Sequence, residues 1–272
     1  MKFTKMHGTG NDFIIIEDLD SKLLLEESEI ARKVCHRRFG IGADGLMLVR
    51  KASVGEIKMV IINSDGSHAN MCGNGIRCFA KYVFERNIVN KSKINIETGD
   101  GIKIIDLDIS EGKVKEITVN MGKISFDGSL IPLKDKEELI NEEINVNGNR
   151  YKATSLLMGV PHTVVFNDKD QYKVTEGRDI EKYPLFENGT NVNFVKVVDK
   201  NNIQVETWER GAGATFSCGT GCCASVVVSN KLGYTSDDVN VKVPGGIVKV
   251  AIENNYVYMS GPAEFICEGT VL

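Results

Sequence analysis

Two short stretches of the chain combine the residue types and spacing that chemistry needs. Met71-Cys72-Gly73-Asn74-Gly75-Ile76-Arg77-Cys78 and Ser217-Cys218-Gly219-Thr220-Gly221-Cys222-Cys223-Ala224 both read Cys-Gly-x-Gly, and each runs at once into a helix-forming segment. A cysteine just ahead of a helix sits among unpaired backbone N–H groups at the positive end of the dipole. That position favours thiolate and is expected to lower a thiol pKa from about 8.5 toward roughly 3.5–7.5. The glycines allow tight turns and let a ligand approach the amides, which can hold a carboxylate or another anion. One such element could be a nucleophile, a redox thiol or a phosphate loop. Two of them suggest a cleft with a thiol on either face, suited to taking a proton from the carbon beside a carboxylate and returning one on the other side. One cysteine would be thiolate and the other thiol, with roles exchanged for the opposite substrate hand.

The elements that must position these residues repeat. The cysteines are 146 residues apart, about half the chain, and nine residues before each stands a polar residue near the end of a predicted strand, Asn63 and Glu209. The chain is therefore read as two related halves with a boundary near Met121 to Ile131. β-rich runs recur at 45–49, 57–62, 94–97, 102–107, 118–121, 192–198, 203–207, 239–243, 246–252 and 256–260. Helical spacing is predicted at 28–37, 134–142, 76–85 and 222–232, with Asn87 and Gly233 as stops and the last helix apolar nearly all round. Gly40-x-Gly42-x-x-Gly45 matches the dinucleotide fingerprint, but a helix precedes it and a strand follows, so it is read as a connecting turn.

Composition narrows the classes. With 272 residues, 42% hydrophobic and 26% charged, the chain is expected to form about two globular domains. A net charge of -4 is the wrong sign for electrostatic nucleic-acid binding. No stretch reaches the length of a membrane span and no secretion signal is evident, so the protein is expected in the cytoplasm with reduced thiols. Seven cysteines lack the paired spacing of a zinc site, so no metal is expected. Cys35, Cys78, Cys222, Cys223 and Cys267 are read as buried packing residues. No lysine motif asks for pyridoxal phosphate. The acidic run Glu137-Glu138 and Glu142-Glu143 reads as a solvated helix face.

Seven motifs together resemble the diaminopimelate epimerase family. They are His7-Gly-Thr-Gly-Asn11-Asp12-Phe13, Arg38-Phe-Gly-Ile-Gly-Ala-Asp44-Gly45, Asn63-Ser-Asp-Gly-Ser67, the two cysteine motifs, Glu209-Arg210-Gly-Ala-Gly213 and Pro244-Gly-Gly246, in order over nearly the whole chain. The resemblance implies an α+β fold of two pseudo-symmetric domains, each a curled mixed sheet or barrel around a central helix. Residues 1–120 would form the first half, joined by the tail 264–272, and 121–263 the second. It implies a cofactor-independent isomerase converting LL- to meso-diaminopimelate in lysine and peptidoglycan synthesis, acting as a homodimer on a small amino acid, with no nucleic-acid or membrane partner. Carried over by motif, Cys72 and Cys218 are the acid and base, and Gly73, Asn74, Gly219 and Thr220 cradle the reacting carboxylate. Asn11, Asn63, Asn191, Glu209 and Arg210 bind substrate, and His162 with Glu209 supports the acid–base environment. Val160, Ala214 and His68 depart from the residues usual in the family (Asn, Glu and Glu). They keep open an alternative substrate such as histidine or lanthionine, as well as a one-thiol isomerase or dehydratase, or a non-catalytic binder.

Overall fold

The computed structural model describes residues 1–23 and 26–271; Leu272, the last residue of the expected tail, lies outside them. The chain divides into two compact units, Met1–Asn120 with Ser260–Leu272, and Met121–Met259. In order, the elements are β1 (Lys2–Gly8), β2 (Asn11–Glu17), α1 (Glu27–Cys35), β3 (Gly45–Arg50), β4 (Ile57–Asn63), β5 (His68–Ala69), α2 (Gly73–Glu85), β6 (Lys93–Thr98), β7 (Gly101–Ser110) and β8 (Lys113–Gly122). They continue with β9 (Glu142–Val146), β10 (Asn149–Met158), β11 (Val160–Phe166), α3 (Gly177–Glu181), β12 (Asn191–Asp199), β13 (Asn202–Glu209), β14 (Gly213–Thr215), α4 (Gly219–Lys231), β15 (Asp238–Val243), β16 (Gly246–Glu253), β17 (Tyr256–Gly261) and β18 (Glu264–Thr270).

The same pairing scheme appears in each unit. In the first, β1 and β2 are antiparallel, β2 and β3 parallel, β3 with β4 and β4 with β5 antiparallel, and β4 with β6 parallel. In the second, β10/β11, β11/β12, β12/β13, β13/β14 and β13/β15 repeat those senses in that order. Each scheme places one 13-residue helix, α2 or α4, after the short fifth strand. The two units are thus copies of one mixed-sheet, central-helix fold.

Packing explains why those helices are central. On α2, Ile76, Cys78, Phe79, Ala80 and Val83 are fully buried, and on α4 so are Cys222, Cys223, Ala224, Val226 and Val228. Strands β10, β11, β12, β13, β15 and β16 all pack on α4. A helix enclosed on that many sides carries apolar or small residues round its whole circumference. The outer sheet faces are covered too. In the first unit Ala31, Val34 and Cys35 of α1 pack on Ile14, Ile16, Leu46, Leu48 and Ile62. Buried on both faces, β2 and β3 read as continuous apolar runs instead of alternating ones.

Several expectations change. Residues 134–142 form no helix: Asp135 and Asn141 take positive φ (55° and 52°), the backbone of Lys134 bonds to Leu185, and the segment leads into β9. Glu137 and Glu138 are exposed on irregular chain and Glu142 and Glu143 on β9, while Leu139 is fully buried in the outer cluster of the second unit. Cys267 is exposed, unlike the other four packing cysteines. Strands β1, β2, β5, β9, β10, β11, β14 and β18 were not signalled by turn spacing. The Gly40–Gly45 segment is a turn between α1 and β3 in which Gly42 has φ +82°. Among the described residues no helix is long and apolar enough to cross a membrane.

Candidate active site

Each central helix begins at a cysteine. Cys72 is the N-cap of α2, with extended backbone, and its Sγ accepts a hydrogen bond from the Gly75 N–H at 3.3 Å. Its S–H in turn donates toward Asn11 Oδ1 at 3.6 Å. The amide contact favours a thiolate and the Asn11 oxygen a thiol, so the two contacts act in opposite directions. Asn74 Nδ2 also donates to Asn11 Oδ1, so three of the expected site residues, Asn11, Cys72 and Asn74, lie together.

The orientation of Asn11 is fixed from behind. Asn11 Nδ2 donates to Asp44 Oδ2 at 2.6 Å, and a carboxylate can only accept, so the amide oxygen must face the sulfur. Asp44 is held by Arg37, whose guanidinium also forks onto Asp12. Lys5 adds a second cation at 3.0 Å from Asp12. Although burial alone would raise it, hydrogen bonds and charge from Arg37 and Lys5 bring the Asp12 pKa below its usual value. On the other side, buried Arg77 donates to Asn74 Oδ1 at 3.1 Å and to the Gly73 carbonyl at 3.3 Å, bracing the first turn of α2. Asp44 and Arg77 were visible within the motifs but carried no assigned role, because their effect runs through a neighbouring amide. Asn63 is engaged in its own turn, donating from Nδ2 to Ser67 Oγ at 3.0 Å.

In the second unit Cys218 is the N-cap of α4 and is 6% exposed. The thiol pKa lowering expected from the helix start does not prevail. Burial first, and the charge of Glu209 second, raise the Cys218 pKa well above its ordinary value, against the Thr220 hydroxyl and the Gly221 N–H. Desolvation of a thiolate outweighs the few partial charges of one helix terminus, so in the free protein Cys218 is a thiol at neutral pH. Thr220 Oγ1 lies 3.5 Å from its sulfur, and Gly219, the other expected cradle residue, is buried in the same turn. Glu209, at the end of β13, accepts from Thr215 Oγ1 at 2.7 Å.

Asn191 ties two further expected residues together. Its Oδ1 accepts from the Arg210 N–H at 3.0 Å, and its Nδ2 donates to the carbonyl of Pro161, next to His162. The Arg210 guanidinium donates to the Asn188 carbonyl at 2.8 Å. Val160 is 38% exposed at the tip of the β10–β11 hairpin, beside Gly159, whose α-carbon faces the Thr220 methyl. The other departures lead elsewhere. Ala214 is exposed on β14, and His68 Nε2 lies 3.3 Å from Glu27 Oε1, so it belongs to a structural ion cluster.

His162 differs from a titrating acid–base group. Burial, then the Arg210 charge, push its pKa from 6.5 down to about 3, so the ring is neutral. An unfolded chain would bind a proton near pH 6.5 that the native ring refuses until about pH 3. The unfolded state therefore holds more protons in that window. Stability is full above it and is lost as pH falls through it. Denaturant titrations between pH 7 and 4 are expected to show that loss, and His162→Gln should flatten it; parallel slopes in the two proteins would contradict the assignment.

The family model described as Diaminopimelate epimerase matches residues 3–126 and 154–266. A protein of Clostridium perfringens named diaminopimelate epimerase is 58% identical over 100% of both chains, and one of Caldanaerobacter subterraneus is 47% identical over 100% of this chain and 99% of its own. The chain belongs to the diaminopimelate epimerase family. Solved structures agree on the fold. A PhzF-family phenazine biosynthesis protein of Bacillus anthracis matches with TM-score 0.73 at 16% identity, over 100% of this chain and 99% of that one. A probable proline racemase of Agrobacterium radiobacter matches with TM-score 0.72 at 14% identity, over 100% and 92%. As a family member the chain is an isomerase.

Proposed function

We propose that this chain interconverts LL- and meso-diaminopimelate without a cofactor, at the step that feeds lysine synthesis, using Cys72 and Cys218 as a thiolate and thiol pair. The observation that carries the reading is that the same fold, built twice, starts its central helix each time at a cysteine followed directly by the backbone amides of the first helical turn. Abstraction beside a carboxylate develops negative charge on that group, and N–H groups of residues 73–74 and 219–220 at the two helix starts are the donors proposed to receive it. The protonation of Cys218 supports its part as proton donor for one substrate hand, with the roles exchanged for the other. Arg210 and Asn191 are proposed to read the distal amino-acid end, where a guanidinium suits a carboxylate and an amide oxygen suits an ammonium.

The test is solvent exchange. Purified protein in deuterium oxide is expected to introduce deuterium at the α-carbon of diaminopimelate. Exchange on a different amino acid, with none on diaminopimelate, would overturn the substrate assignment while leaving the isomerase reading in place. One observation favours keeping that second reading in view: an apolar side chain, Val160, stands exposed at the hairpin tip, next in sequence to Gly159, which faces the Thr220 methyl. If that position contacts the polar distal end, Val160→Asn should raise kcat/KM for diaminopimelate by about 10-fold, the scale of one added hydrogen bond. An unchanged kcat/KM would show that the position does not contribute to recognition.

A further inference from the structure

His162 lies fully buried on β11, and its two ring nitrogens have different surroundings. Nδ1 is 3.1 Å from Asn193 Nδ2, whereas Nε2 is buried with no hydrogen-bond partner among the described residues. Which end of the Asn193 amide faces the ring is decided by its other neighbours. Thr207 Oγ1 donates to Asn193 Oδ1 at 3.0 Å, and the Thr163 carbonyl lies 3.4 Å from Asn193 Nδ2. A carbonyl can only accept, so turning the amide over would set two oxygens against each other. With the NH2 end toward the ring, Nδ1 must accept, and a neutral imidazole then carries its hydrogen on Nε2. Asn193 is itself fully buried and cannot swing away to solvent. It is also locked to the helix that starts at Cys218: a Cβ on Gly221 would run into Asn193 Oδ1 and come within 3.2 Å of Thr207 Oγ1.

We propose that Asn193 is a positioning residue that fixes His162 in the Nε2–H tautomer, making this imidazole a hydrogen-bond donor to an acceptor oxygen of the bound amino acid, such as a carboxylate oxygen, and not a base. A buried donor left unpaired costs stability, on the order of 1–3 kcal/mol, which is recovered when a ligand supplies the acceptor. The ligand half of the inference rests on the epimerase reading; the tautomer half does not. Thr207 shares the task by holding the amide oxygen.

Nitrogen-15 NMR of the imidazoles in the full chain tests both halves. The chain has four histidines, and the His162 signals are identified by their loss in His162→Gln. At neutral pH the expected result is an unprotonated Nδ1 and a protonated Nε2. In Asn193→Asp, whose carboxylate can only accept, Nδ1 should gain a proton and kcat should fall by roughly 100-fold or more with a smaller change in KM. Saturating diaminopimelate should shift the wild-type Nε2–H resonance. A protonated Nδ1 in the wild type, or an unaltered tautomer in Asn193→Asp, would overturn the role given to Asn193. An Nε2–H signal indifferent to a bound substrate would overturn the donor role. If no amino acid were turned over at all, the epimerase reading would fail while the tautomer result stood by itself.

Discussion

Cys72→Ser and Cys218→Ser should each lose roughly 100- to 10,000-fold in kcat, the usual range for removing a positioned acid or base. A serine hydroxyl is far too weak an acid to exchange a proton at neutral pH in either role. Both variants should keep the fold. The Cys72 sulfur is only partly buried and makes its cap contact to Gly75, a bond that a serine oxygen at an N-cap also makes. Cys218 is enclosed, so its serine variant buries a hydroxyl beside the Thr220 hydroxyl, which can pair with it. Circular dichroism and a denaturant midpoint close to the wild type, together with the kinetic loss, would meet the expectation. Full turnover by either variant would end the assignment of a proton transfer to that thiol.

Arg50→Met should destabilise the first unit by about 3–5 kcal/mol, because it strands buried carboxylates. Arg50 donates from Nε to Asp18 Oδ2 at 2.9 Å and from Nη2 to Glu27, and their side chains are only 3% and 10% exposed. His68 Nε2 approaches the same Glu27 at 3.3 Å. The loss would be read as a lowered urea midpoint at unchanged slope. Adding Asp18→Asn and Glu27→Gln to Arg50→Met should recover part of it, since neutral amides cost less to bury than unpaired charges. A midpoint equal to wild type in Arg50→Met would show that the cluster contributes little to stability. His68 on β5, one of the departures, thus reaches this cluster through its contact with Glu27 of α1.

Much of this architecture was legible in the sequence because chemistry and fold are signalled by the same residues. Cys-Gly-x-Gly marks a helix start at the same residues proposed to carry the chemistry, so the duplicated motif located both α2 and α4. The other elements were harder for physical reasons. Strand β2 is buried on both faces and so lacks the alternation that identifies a strand, and β10 and β11 are joined by a single tight turn at Gly159, with φ +71°. The segment 134–142 carries helix-favouring Lys and Glu, yet Leu139 is anchored into the core and Ser155 donates to its carbonyl, so a tertiary contact outweighs local preference. At the site, residues that touch the thiols could be named from the motifs. Asp44, Arg77, Asn193 and Thr207 act on other side chains, and nothing in the spacing of the sequence encodes a hydrogen bond between two amides or between an amide and an imidazole. The thiol of Cys218 illustrates the remaining gap. Its position before a helix is visible in the sequence, while the burial that reverses the expected direction of its pKa is a property of the folded unit.

The origin of the incoming hydrogen tests the two-thiol mechanism most directly. LL-diaminopimelate, unlabelled at its α-carbons, is converted in deuterium oxide and the reaction is stopped early, after a small fraction has reacted. With one sulfur removing and a different sulfur delivering, the meso product should carry solvent deuterium at the inverted carbon while the recovered LL-substrate stays unlabelled. Product that retains the substrate's own hydrogen, or recovered substrate already labelled, would mean that a single group both takes and returns the proton, and would contradict the division of labour between Cys72 and Cys218.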